Sequence, residues 1–216
     1  MPDRRTIVAD LFTNLATGIR GLVLVNAYSF DQTAELDGFR NLKQKATPIT
    51  VEYDGAGGSV FRVARSPLGN ANGYCLGYED AHSTLATLSR PQRIVVSGEY
   101  SGCLYSVYYA GNGEYKCVHT ARPGGSLLEA YVQALRQYAA RQGWVLIHEI
   151  PTRNDVNSGV GIDGCVGTLF VTRISYTVVP QPIVRTVRLR LDNLGNSVYR
   201  SRWTTPTGGV TVIDNP

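Results

Sequence analysis

The chain has 216 residues, of which 43% are hydrophobic and 18% charged, and its formal net charge is +4. A chain of this length buries about 70% of the surface its unfolded form exposes, and the composition reads as globular rather than disordered. The longest apolar run near the start, Gly21-Leu-Val-Leu-Val25, is too short to span a bilayer.

Asp10 and polar residues stand where a secretory signal needs an apolar segment, so no signal peptide is expected in residues 1–20. Arginine supplies nearly all the positive charge, because lysine occurs only at Lys43, Lys45 and Lys116. That balance is a weak case for nucleic acid as a partner. The cysteines Cys75, Cys103, Cys117 and Cys165 form no C-x-x-C, which argues against a zinc cluster or a thioredoxin-like motif. They are too sparse for a disulfide scaffold, and reduced thiols are expected.

In chain order, residues 5–19 carry apolar side chains at helical spacing and predict an amphipathic helix. Residues 21–28 read as a buried strand. TPITVEYDG (47–55) and SVFRVAR (59–65) alternate around a Gly-rich turn and predict a hairpin. Residues 66–80 form a polar, Gly-rich loop, 80–89 one short helix, and 92–98 a strong strand. A second hairpin follows, turning at Gly111-Asn112-Gly113.

The clearest helix runs from Ser126 to Gln142. Ser126 and Glu129 form a capping box, Leu128, Val132, Leu135 and Ala139 make the apolar stripe, and Gly143 marks the stop. A strand at 144–150, a loop at 151–165 and strands at 166–179, 183–192 and 197–205 complete the chain. The fold class is α/β in the broad sense, specifically α+β: a mixed, mostly antiparallel β-sheet or sandwich core with a few flanking helices. Residues 1–216 read as a single domain.

Two motifs lack their context. Gly159-x-Gly161-x-x-Gly164 matches the dinucleotide fingerprint, but it follows a polar loop and leads into a β pattern. His148-Glu149 lacks the second histidine of a zinc protease. No metal or cofactor is expected. Arg185, Arg188, Arg190, Arg200 and Arg202 read as a solvated sheet face rather than a nucleic-acid surface, since aromatic residues are not interleaved with them.

Cys103 and His119 stand apart from this background. A Ser101-Gly102 step before Cys103 lets the backbone bend and leaves amide groups to face an oxyanion. A three-residue hairpin loop makes each opposed pair sum to 224, so His119 faces Tyr105 and Cys103 is its diagonal neighbour on the same face. A two- or four-residue loop would put the two side chains on opposite faces. The blander reading is a packed cysteine, and it is the one taken for Cys75, Cys117 and Cys165.

Tyr100-Ser101-Gly102-Cys103 followed by Val118-His119-Thr120 resembles the cytotoxic necrotizing factor family of glutamine deamidases, which shares its catalytic core with the Burkholderia lethal factor and the chemoreceptor glutamine deamidases. The family has Leu where Tyr100 stands, and some members have Thr where Ser97 stands. The likeness covers Val95 to Gly125. It implies Cys103 as nucleophile, His119 as base, Ser97 as the group that positions the histidine, and Gly102 and Ser101 as backbone donors near the oxyanion. It also implies a monomeric toxin or effector that converts a glutamine of a host protein to glutamate. Rho-type GTPases and a translation-initiation helicase are precedents for that partner, with neither nucleic acid nor membrane involved. Such a protein is made in the bacterial cytoplasm and acts in the host cytosol. The alternatives are a non-enzymatic β-rich binding module and a cysteine protease.

Overall fold

A computed structural model describes residues 22–25, 34–35, 42–54, 60–79, 81–100, 102–121, 127–152, 167–175, 183–193, 198–201 and 210–214. The helix expected at 5–19 lies outside them. The strands are β1 (Leu22–Val25), β2 (Ala34–Glu35), β3 (Leu42–Gln44), β4 (Ala46–Asp54), β5 (Val60–Arg65), β6 (Gly73–Leu76), β7 (Ser83–Leu88) and β8 (Ile94–Tyr100). Then come β9 (Leu104–Gly111), β10 (Glu114–Thr120), the helix α1 (Leu127–Arg141) and β11 (Val145–Pro151). β12 (Gly167–Ser175), β13 (Ile183–Asn193), β14 (Val198–Ser201) and β15 (Val210–Asp214) follow. No helix among the described residues is long and apolar enough to cross a membrane.

The class is α+β with a β-rich core. One sheet has the order β12-β8-β6-β4-β5-β1-β14-β13-β15, and the other β11-β9-β10-β7-β3-β2. Both are mixed: β1/β5 and β6/β8 in the larger sheet and β3/β7 in the smaller one run parallel. A further pairing of β12 with β13 joins one edge strand of the larger sheet to the next-to-last strand at its other end.

The two sheets share one core. The larger sheet gives Leu76, Val95, Tyr100, Phe170, Ile174 and Val184 to it; the smaller gives Ala86, Leu88, Tyr105, Val107, Cys117 and Ile150. The Tyr105 hydroxyl spans the gap to Thr172 Oγ1 at 2.5 Å, and Thr172 continues to Thr186 at 2.9 Å. On the opposite face of the smaller sheet, Leu135, Tyr138 and Ala139 of α1 pack on Leu42, Leu85, Tyr108 and Val118. The smaller sheet is therefore covered on both sides.

That double cover explains one correction. Residues 80–89 do not form a helix; Ser83–Leu88 is the strand β7, paired with β10 and β3. Five of its six side chains are buried, and a strand covered on both faces loses the alternation that marks a half-buried one. β6 likewise occupies part of the expected 66–80 loop, preceded by a 3-10 turn at Leu68–Asn70.

Elsewhere local chemistry is decisive. The β4–β5 hairpin forms in antiparallel register from Ile49↔Arg65 to Asp54↔Val60. α1 stops where Gly143 takes φ +70°, with Gly143 N–H donating to Ala140 O and Trp144 N–H to Ala139 O. This pair of bonds is a Schellman motif, and the left-handed residue is the one glycine tolerates best.

The β9–β10 hairpin reaches the expected register by another route. Asn112 and Gly113 both have positive φ, as a two-residue type I′ turn requires. Such a turn pairs Gly111 with Glu114, but the register then shifts by one residue, and Tyr115 faces Tyr109. From there each pair sums to 224, and His119 faces Tyr105. The bulge restores the parity that the short turn alone would reverse.

Candidate functional site

β9 and β10 stop pairing at Leu104↔Thr120, and Cys103 precedes that last rung. Gly102 bends the chain there with φ +114°, a conformation an L side chain rarely takes. Thr152, just past β11, fixes the bend. Its N–H and its hydroxyl both donate to Cys103 O, at 3.1 and 2.7 Å, and its Oγ1 accepts the Gly102 N–H at 3.0 Å. The Gly102 N–H, expected among the oxyanion donors, is thus committed to Thr152. Ser101 lies outside the described residues.

Cys103 belongs to the core between the sheets, together with Tyr100 and Tyr105. His119, directly across from Tyr105, presents its ring to that same face. The expected sharing of a face by Cys103 and His119 is therefore present. A hydrogen bond between them is not, because both ring nitrogens of His119 lack a partner.

His119 is 1% exposed. Its ring lies flat against Tyr100, with centroids 3.8 Å apart and planes at 21°. Tyr78 approaches it at 5.4 Å and is itself 44% exposed, so one tyrosine touches both the imidazole and solvent. Burial pushes the His119 pKa down to about 3, which keeps the ring neutral at physiological pH.

The loop carrying Tyr78 is fastened on both sides of it. Gly77 N–H donates to Lys45 O at 3.0 Å, and Thr84 Oγ1 donates to Gly77 O at 2.5 Å. Glu79 pairs with Lys43 and Lys45, and the Lys43 hydrogen bond is the largest influence holding its carboxyl below the usual range. This segment is the described end of the expected 66–80 loop. Residues 153–165 of the expected 151–165 loop lie outside the described residues.

Ser97 does not bond to the histidine. Its hydroxyl lies 2.6 Å from the Tyr100 hydroxyl and 3.5 Å from Leu76 O. Towards α1, a cavity of about 100 Å³ opens beside Gly102, Cys103 and Leu104. Glu129 and Arg136 of α1 and Glu149 of β11 line its far side, with Arg136 and Glu149 joined as an ion pair.

The cysteines differ in setting. Burial raises Cys75 and Cys117 to about 12, so both are inert near neutral pH, as expected for packed thiols. Cys103 is a thiol as well and borders the cavity. Cys165 lies outside the described residues. Sequence reasoning missed Tyr78, Thr152 and the stacking role of Tyr100. The first two come from distant segments, and no local pattern announces them. Tyr100 stands inside the Tyr100-Ser101-Gly102-Cys103 motif, and its departure from Leu is the signal.

No protein-family model matches this sequence, and no curated protein matches it either.

Proposed function

We propose that the chain is a protein-glutamine deamidase with Cys103 as nucleophile and His119 as its base. The observation that carries this reading is a buried imidazole with two unpartnered nitrogens, on the same sheet face as a thiol set on a sharp Gly102 bend. Buried polar atoms are nearly always bonded, and an exception calls for an explanation, a catalytic role among them.

In the proposed reaction neutral His119 takes the Cys103 proton as the thiolate attacks the carboxamide carbon of a glutamine on a partner protein. The oxyanion is held by backbone amides beside Cys103, its own among them, each worth ~3–4 kcal/mol. The imidazolium returns the proton to the departing nitrogen, which leaves as ammonia. Water then cleaves the thioester, releasing glutamate and restoring the thiol. Burial disfavours the imidazolium, and the adjacent thiolate charge and the Tyr100 face offset that cost while the pair is ionised.

The product is a carboxylate where a regulatory protein carried a neutral amide, a change able to lock a switch. By the resemblance, the partner is a host protein of the Rho-type GTPase or translation-helicase kind, reached in the host cytosol. A second reading, a β-rich binding module with a packed Cys103, is favoured by one observation: no hydrogen bond joins Cys103 to His119.

The deciding experiment is alkylation of each cysteine against pH, mapped by peptide, in the wild type and in His119→Ala. Fast reaction of Cys103 near neutral pH, lost in the variant, supports the deamidase. Equal behaviour in the two proteins removes it and leaves the binding module.

A further inference from the structure

Ser97, Tyr100 and His119 form a continuous buried chain. Ser97 and Tyr100 are both 0% exposed, their hydroxyls are 2.6 Å apart, and the Tyr100 ring lies flat on the imidazole at 3.8 Å. Tyr100 is also wedged edge-on against Tyr105 at 5.9 Å and Phe170 at 4.9 Å, so its ring has one place to sit. The arrangement uses the tyrosine twice: its hydroxyl anchors it and its face carries the histidine.

We propose that Tyr100 is the positioning residue for His119, and that Ser97 acts on the histidine only through the Tyr100 hydroxyl. This rests on the reading of His119 as the base of Cys103. No hydrogen bond orients the imidazole, so its ring plane is set by the surface it lies on. A side chain at position 100 without an aromatic face would leave that plane undefined. The electron-rich face also favours positive charge on a ring stacked over it, and so lowers the cost of the imidazolium formed when the Cys103 proton moves. The serine hydroxyl holds the tyrosine in the register that makes this stack.

The test is a double-mutant cycle on the rate of Cys103 alkylation at neutral pH, using Ser97→Ala, Tyr100→Phe and both together. Each single change breaks the same link, so each is expected to slow the reaction by about tenfold, with no further loss in the double variant. Ser97→Thr, which returns a hydroxyl, is expected to recover most of the rate. Tyr100→Leu removes the stack and is expected to fall to the His119→Ala rate. Its imidazole proton resonances are expected to lose the ring-current shift that Tyr100→Phe retains.

Cys75 and Cys117 stay unlabelled while the core is intact, and so report unfolding within the same reaction. Additive losses from Ser97→Ala and Tyr100→Phe, or a loss from Ser97→Ala alone, would overturn the proposal, because the serine would then act by a separate route. If wild-type Cys103 reacts no faster than in His119→Ala, the deamidase reading fails first and this inference with it. A fast wild type with an additive cycle sinks the inference alone.

Discussion

Thr152 holds Cys103 by its carbonyl from two donors at once, an N–H and a hydroxyl of the same residue. The ladder between β9 and β10 has already ended at this point, so the clasp from beyond β11 replaces the missing rungs. Replacing Thr152 with Val keeps its shape and removes the hydroxyl. The buried Gly102 N–H then has no acceptor there, a loss of about 1–3 kcal/mol. Denaturant unfolding should register that drop, and Cys103 alkylation should slow while Cys75 and Cys117 stay protected. Unchanged alkylation in a destabilised Thr152→Val protein would show that the clasp serves the fold alone.

Acid should weaken the protein through His119. Its pKa falls from 6.5 to about 3 on folding, through burial. Between those values the unfolded chain binds a proton that the native one excludes. Stability is therefore unaffected by this group above pH 6.5 and is lost as the pH falls, by up to ~1.4 kcal/mol per unit. Comparing wild type with His119→Gln cancels the contribution of the carboxylates. The difference between the two stability curves should be flat above neutrality and should slope in favour of the variant below pH 6.

Gly73 sits opposite Ile94 in the parallel pairing of β6 and β8. A Cβ at that position would lie 2.4 Å from the Ile94 carbonyl oxygen, a backbone atom that cannot swing aside. Gly73→Ala is expected to cost on the order of 3 kcal/mol, at the upper end of overpacking effects. Gly69→Ala is the matched control, since nothing lies within 4 Å of its Cβ. It should be neutral or slightly stabilising. Comparable thermal midpoints for the two variants would refute the close approach.

At the end of α1, Gly143 has open space for a side chain but a φ of +70°. Gly143→Ala should therefore cost about 1 kcal/mol by backbone strain alone. Gly143→Asn, which accepts the left-handed region more readily, should recover part of it. Equal unfolding midpoints for the Ala and Asn variants would count against a strain origin.

Legibility followed the range of the physics. The stop of α1 and the Asn112-Gly113 turn depend on residues a few positions apart, and the sequence displays both. The face shared by Cys103 and His119 was expected from a three-residue loop. The structure reaches the same parity through the two-residue turn and a bulge, and the sequence does not announce that bulge. β7 was misread because Leu85 and Ala86 are buried on opposite faces, against α1 and against the larger sheet, which erases the alternating pattern. The stacking of Tyr100 on His119 joins two sheets, and the Thr152 clasp joins positions 49 residues apart. Neither leaves a mark on the local sequence.

The single extra residue in β9 beside the Asn112-Gly113 turn works like a reading frame. Pair that residue, Ala110, regularly with Tyr115 beyond the intact turn, and every side chain of β10 trades walls relative to β9. His119 would then look toward α1 while Cys103 stayed with the core, and Thr120 would take the histidine's place opposite Tyr105. An error of one residue, at the far end of the hairpin, would thus dismantle the arrangement without altering any residue that composes it.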